Sequence, residues 1–288
     1  MRANQERLYA DVQFLTSLQP ARNYRNLTSL NRAAEYIRGE FEKLGCPVEE
    51  QAFKADGRQY RNIVATFGPP EAERIIVGAH YDVFGEQPGA DDNASAVAGL
   101  LETARLLHAL GAQLPPDRRI DLVAYPNEEP PYFASEYMGS AVHAKSLHDA
   151  GVTVRAMICY EMIGYFRDEP GSQRFPTENL AELYPNTGNF ITVVGRDGQE
   201  LFTQRVQQLM RAQADVDVQR INLSAKAGLA GLSDQRNYWP YGWNAVMIND
   251  TAFLRNPNYH ETTDTIDTLD FRRMAEVVNG VLNAVLNL

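Results

Sequence analysis

Five short motifs carry most of the chemistry this chain offers: His80-Tyr81-Asp82, Gly89-Ala90-Asp91-Asp92-Asn93, Asn127-Glu128-Glu129, Glu161 and Tyr259-His260. Three of them close short apolar runs, the pattern of strands covered on both faces. In open α/β sheets, ligands bind beyond the carboxyl ends of the strands. Parallel strands would therefore gather two imidazoles and several carboxylates at one edge. Nitrogen and oxygen donors without thiolate suit zinc or a similar divalent ion. Taken singly, the pieces are weak. Asp91, Asp92 and Asn93 ahead of a helix also serve as N-caps, and Glu128-Glu129 reads equally well as two solvated loop acids. Glu161 is harder to explain away, because a carboxylate closing a buried strand needs a partner.

The elements that must position these groups are legible in outline. Arg74–Ala79, Ile120–Tyr125 and Val154–Tyr160 read as buried strands, separated by helices over about 94–110 and 137–150. Strand–helix–strand order implies crossover connections and a largely parallel sheet. Ahead of them, Leu8, Val12, Leu15 and Leu18 fall at helical spacing. A second stripe of Ala33, Tyr36, Ile37, Phe41 and Leu44 ends at Gly45. Short β-rich runs follow at 47–53 and 60–67. Downstream come a strand near 190–195, a helix near 198–213, strands near 217–222 and 244–249, and a final helix from about 270. The Pro/Gly-rich segment 164–189 reads as a functional loop. No repeat or linker interrupts the pattern, so the expectation is one α/β domain over residues 1–288.

Composition narrows the function classes. The chain has 288 residues, 44% hydrophobic and 22% charged, which is ordinary for a soluble globular protein and excludes a disordered tail, a collagen or a disulfide scaffold. Asp and Glu number 37 against 27 Lys and Arg, for a net charge of −10. No basic cluster is present to neutralise phosphates, so nucleic acid is not an expected partner. The balance mildly favours cationic ligands such as free amines. Cys46 and Cys159 form no CxxC pair, and Cys159 reads as a buried thiol. No apolar run approaches the ~18 to 20 residues of a membrane span. Residues Met1 to Arg7 lack the apolar core of a signal peptide. The expectation is a cytoplasmic protein, with secretion from a longer precursor as the other reading.

In this order, the motifs resemble the co-catalytic di-zinc aminopeptidases of the bacterial leucyl and vacuolar type. Ser233-Asp234, Ala245-Val246-Met247 and the stretch from Asp264 to Asp270 match as well, so the resemblance covers roughly residues 60–285. It implies a three-layer α/β sandwich with a mixed, largely parallel central sheet, the zinc-dependent exopeptidase fold. It also implies two divalent ions, most commonly zinc. Asp92 would bridge them, His80 and Glu161 would complete one site, and Glu129 and His260 the other. Asp82 would fix the His80 ring through its second nitrogen. Glu128 would be the general base acting on a metal-bridged water, and Tyr259 a donor to the developing oxyanion. The three liganding carboxylates and a hydroxide would neutralise two divalent ions. The implied activity is removal of the N-terminal residue from a peptide with a free amine.

Three features depart from the family pattern. Glu161 stands where Asp is commoner, and Gln235 where His is usual. After Glu129 an aromatic, Pro-containing insert, Pro130 to Ser140, is expected to border the first substrate pocket. Trp239 and Trp243, with Tyr238 and Tyr241, read either as pocket lining or as packing. His108, His143 and His148 have no expected role in metal binding. Two other functions compete with the aminopeptidase reading. One is a glutaminyl-peptide cyclotransferase using a single zinc; the other is a non-catalytic binding module on the same fold.

Overall fold

The computed structural model describes residues 1–225 and 228–288. Its centre is an eight-stranded sheet in the order β1-β2-β4-β3-β5-β8-β6-β7. The strands are β1 (Val48–Ala55), β2 (Arg58–Phe67), β3 (Glu73–His80), β4 (Arg118–Tyr125), β5 (Val154–Glu161), β6 (Phe190–Arg196), β7 (Asp217–Leu223) and β8 (Ala245–Asn249). The four central strands β4, β3, β5 and β8 run parallel. At one end β2 and β1 form an antiparallel hairpin extension, and at the other β6 meets β8 antiparallel while β7 follows β6 in parallel. The sheet is therefore mixed and the site lies on its parallel part.

Helices cover both faces, giving the expected three-layer sandwich. One layer holds α1 (Gln5–Thr16), α2 (Leu27–Glu42), α3 (Ala96–Leu110), α6 (Glu200–Arg211) and α7 (Phe271–Asn287), all contributing to the larger core. The other holds α4 (Gly139–Asp149) and the short turns around Tyr238 and Trp239, over a smaller core. The remaining helix, α5 (Glu178–Leu183), sits within the 164–189 excursion. Helix α3 is apolar nearly all round because it is buried between the sheet and α1 and α7. It stops at Gly111, whose φ of 49° a residue with a Cβ adopts only under strain. Helix α7 starts where the Asp270 carboxylate accepts a hydrogen bond from Arg273 N at 2.9 Å, and the Asp270 N–H donates to Gly164 O, also at 2.9 Å. That bond anchors the helix to the chain just beyond β5.

Sheet register does the positioning. On adjacent parallel strands Gly78 of β3 lies beside Cys159 of β5, so His80 ends level with Glu161. On the other side His80 is level with Tyr125, three residues before Glu128. Strands stand about 4.8 Å apart, so three successive strand ends deliver their last side chains within contact range. Among the described residues no helix is long and apolar enough to cross a membrane.

Candidate metal centre

The ends of β3, β4 and β5, with the turn at Asp92 and the loop at His260, bring six predicted site residues together. His80 Nε2 lies 3.4 Å from Asp92 Oδ1, 3.3 Å from Glu161 Oε2 and 3.8 Å from Glu128 Oε2. His260 Nε2 lies 3.3 Å from Asp92 Oδ2 and 3.5 Å from Glu129 Oε2. Asp92 thus turns one oxygen to each histidine. His80, Asp92 and Glu129 offer ligand atoms that all lie within 4.8 Å of one another. Tyr259 stacks on the His260 ring with centroids 3.8 Å apart.

Asp82 stands behind this cluster. Its carboxylate accepts the N–H groups of Glu128 and Glu129, each at 3.1 Å, and lies 3.5 Å from His80 Nδ1. One side chain therefore ties the end of β3 to the turn after β4. The carboxylate of Asp264 does the same for the Asp loop, accepting Asp91 N at 2.9 Å and Asp92 N at 3.0 Å. Arg22, fully buried, donates Nε to Tyr81 O, Nη1 to Leu15 O and Pro88 O, and Nη2 to Gly89 O. It staples the loop after His80 to the loop before Asp92. Glu161 is held by the Ser233 hydroxyl at 2.6 Å and the Asn93 amide at 3.2 Å. That amide is buried and committed, so although Asn93-Ala94-Ser95 has the Asn-X-Ser pattern of a glycosylation site, it is closed to a sugar.

Of these supporting residues, sequence reasoning missed Arg22 and the part played by Asp264. A lone arginine sixty residues ahead of the motifs gives no signal. Asp264 was visible as a match to the family pattern but carried no role.

The electrostatics show a site short of positive charge. Burial disfavours a charged imidazole at His80, yet Glu161 and Glu128, with Asp82 and Asp92, hold it well above the ordinary histidine range. At His260 burial is again overridden, and Asp92 and Glu129 push it up to about 10. Asp92, though buried, is pulled below the ordinary carboxylate range by these two imidazoles. Burial raises Glu128 well above its usual value, with Glu129 and Glu161 adding to the effect. Burial and then Asp92 raise Glu129 to about 7. Buried acids in this number are neutralised either by protons or by cations. His80 Nε2, Asp92 Oδ1 and Glu129 Oε1 are buried without a hydrogen-bond partner. Unpaired donors of this kind, converging on one point, fit a divalent ion with nitrogen and oxygen ligands.

Beside the cluster opens an apolar pocket of about 900 Å³, counting its open mouth. Glu161, Met162 and Tyr259 line it on the side of the cluster. Its walls come from the sheet (Val194, Ile221, Met247) and from the 164–189 excursion (Phe175, Leu180). No residue of the Pro130–Ser140 insert, expected to border the first substrate pocket, lines this one. Tyr132 packs instead against Tyr24, Tyr60 and Tyr137, on the side of the N-terminal helices. Trp239 donates its indole N–H to Ala245 O and packs in the smaller core. No residue of the 238–243 aromatic group lines the pocket. Gln235 is buried and donates to Ala230 O. His108 and His148 face solvent, and His143 is buried against Tyr238, away from the cluster.

An α/β sandwich with a histidine–carboxylate cluster at its parallel strand ends defines a metallohydrolase class, and the comparisons place the chain within it. Residues 62–285 match Peptidase family M28, and the chain belongs to that family. It is 44% identical over 293 residues to the uncharacterized protein YfbL of Escherichia coli (strain K12), covering 99% of this chain and 88% of that one. A probable leucine aminopeptidase of Arthroderma otae is 27% identical over 242 residues, covering 81% of this chain; the match spans only 57% of the fungal protein's length. Among solved structures, the Legionella pneumophila LapA aminopeptidase superposes with a TM-score of 0.78 at 19% identity, covering 98% of this chain and 71% of that one. A Bacteroides thetaiotaomicron glutaminyl cyclase superposes with a TM-score of 0.75 at 20% identity, covering 100% and 99%. At those identities the likeness is one of fold.

Proposed function

We propose that the chain, as one metallopeptidase domain over residues 1–288, is an aminopeptidase that hydrolyses the first peptide bond of substrates with a free N-terminus. The observation that carries this reading is the placement of Asp92, one oxygen toward His80 and the other toward His260, with Glu128 beside the same point. In this reading His80, Asp92, Glu161, Glu129 and His260 would hold two divalent ions, zinc by the donor set: His80 and Glu161 would serve one, Glu129 and His260 the other, and Asp92 both. Bound there, such ions supply Lewis acidity for the scissile carbonyl and lower the pKa of the attacking water.

The chain's own residues do the rest. Glu128 takes a proton from the attacking water and returns it to the leaving amine, so that hydroxide adds to carbon and hydrogen to nitrogen. Tyr259 is held in its protonated form by burial and by the acids Asp92 and Glu129. Its hydroxyl therefore remains a donor for the carbonyl oxygen as charge builds on it. The surplus carboxylates receive the substrate's α-ammonium group. The apolar pocket beside Glu161 takes the first side chain, which favours a large apolar residue there.

Glu128→Gln is expected to retain zinc and to lose hydrolysis of an aminoacyl anilide by about 10²- to 10⁴-fold. Wild-type turnover in that variant would remove Glu128 as the base. A panel of free and N-blocked peptides tests the exopeptidase assignment, and cleavage of blocked peptides alone would overturn it. The likeness to a glutaminyl cyclase supports a second reading, cyclotransfer at a single zinc. A peptide beginning with glutamine separates the two: an aminopeptidase releases glutamine, whereas a cyclase releases ammonia and leaves the chain intact.

A further inference from the structure

The two histidines of the cluster are oriented by different means. At His80 the Nδ1 side faces Asp82, with the backbone oxygen at 3.2 Å and the carboxylate at 3.5 Å. A histidine ligand usually depends on such a bond to fix its ring. His260 turns Nε2 inward to Asp92 and Glu129, but among the described residues its Nδ1 has no hydrogen-bond partner. What it has instead is aromatic contact. The Phe84 ring lies 4.2 Å from the imidazole centroid at an interplanar angle of 10°, and the Tyr259 ring lies 3.8 Å away at 17°.

Phe84 is not a loose surface residue. It is 38% exposed, but its backbone is pinned on both sides. Val83 N donates to Arg22 O at 3.2 Å, and the Asn23 amide donates to Gly85 O. The same N-terminal turn that staples the loops around the cluster therefore also anchors the backbone that carries this ring. His260 itself has φ near 60°, a conformation that a non-glycine residue adopts only when its surroundings impose it.

We propose that Phe84, together with Tyr259, is an aromatic clamp that orients His260 for metal binding. The proposal rests on His260 being a ligand, as in the function proposed above. Phe84 acts through the imidazole and is a positioning residue. Parallel stacking restricts ring rotation and tilt while leaving Nε2 free.

The test is zinc titration of the purified chain against a chromogenic chelator, alongside unfolding of the metal-free protein. Phe84→Ala should weaken, by about tenfold, the same binding step that His260→Ala weakens, and leave intact any step that His260→Ala spares. Phe84→Trp should restore affinity, and adding Phe84→Ala to His260→Ala should cost nothing more. The melting point of the metal-free Phe84→Ala chain should stay near that of wild type. Unchanged zinc affinity in Phe84→Ala, equal weakening of every step, or further loss in the double variant would each overturn the clamp. If wild type takes up no zinc, the metal reading falls and the clamp with it; if only the Phe84 variants behave like wild type, the clamp alone falls.

Discussion

His143 shows how far a single environment moves a residue in the direction opposite to His80 and His260. Burial drives its pKa down to about 4, because the surrounding sheet and helix offer its imidazole no effective counter-charge, and its Nδ1 lies 2.7 Å from the Tyr238 hydroxyl. The folded pKa lies below the unfolded value of about 6.5. Between these two values the unfolded chain binds more protons than the native one, so stability falls as pH drops through that window and is unaffected above it. The loss should reach about 3 kcal/mol at most. In an NMR titration the His143 ring should stay neutral down to below pH 5, and His143→Gln should flatten the acid side of the stability profile. Titration of that ring near 6.5 would sink the account.

Among the elements, β3 is the most constrained. It lies between β4 and β5 and ends in His80, and its alternation leaves Gly78 facing the Tyr125 ring. A Cβ at position 78 would intrude on that ring. The ring has little room to yield, because its hydroxyl lies 2.7 Å from that of Tyr238, which in turn meets His143. Gly78→Ala should therefore cost about 1–3 kcal/mol in urea unfolding. A loss below about 0.5 kcal/mol would mean that β3 tolerates a shift, which its place beside the histidine–carboxylate cluster argues against. The 164–189 excursion shows the opposite freedom. It carries α5 and one wall of the apolar pocket without entering the sheet. Its proline and glycine content marked it as a loop but not what it would face.

At the scale of the whole molecule, the buried acids make folding and metal uptake one problem. Ions that bind only the native chain add stability as their concentration exceeds their dissociation constant, about 2.7 kcal/mol at a hundredfold excess. For a chain of 288 residues that is about 4–5 °C in melting temperature. Exhaustive chelation should lower the melting point by that amount and added zinc should restore it; a melting point indifferent to both would count against a metal centre. The sequence by itself determined the strand ends. Buried parallel strands must be apolar along their length, so a histidine or acid at their limit is conspicuous, and His80, Glu128, Glu129 and Glu161 could be read directly. His260 and Asp92 were legible from their order in the chain. Only the tertiary structure decided what supports them. Arg22, Phe84 and Ser233 act through contacts between segments far apart in the chain, and such contacts leave no periodicity behind. It also decided where the Pro130–Ser140 insert packs: Tyr132 goes against Tyr24 and Tyr60, whereas Phe133 meets Arg236 and Ser140 meets Asp234, partners that the fold brings there and nothing local supplies.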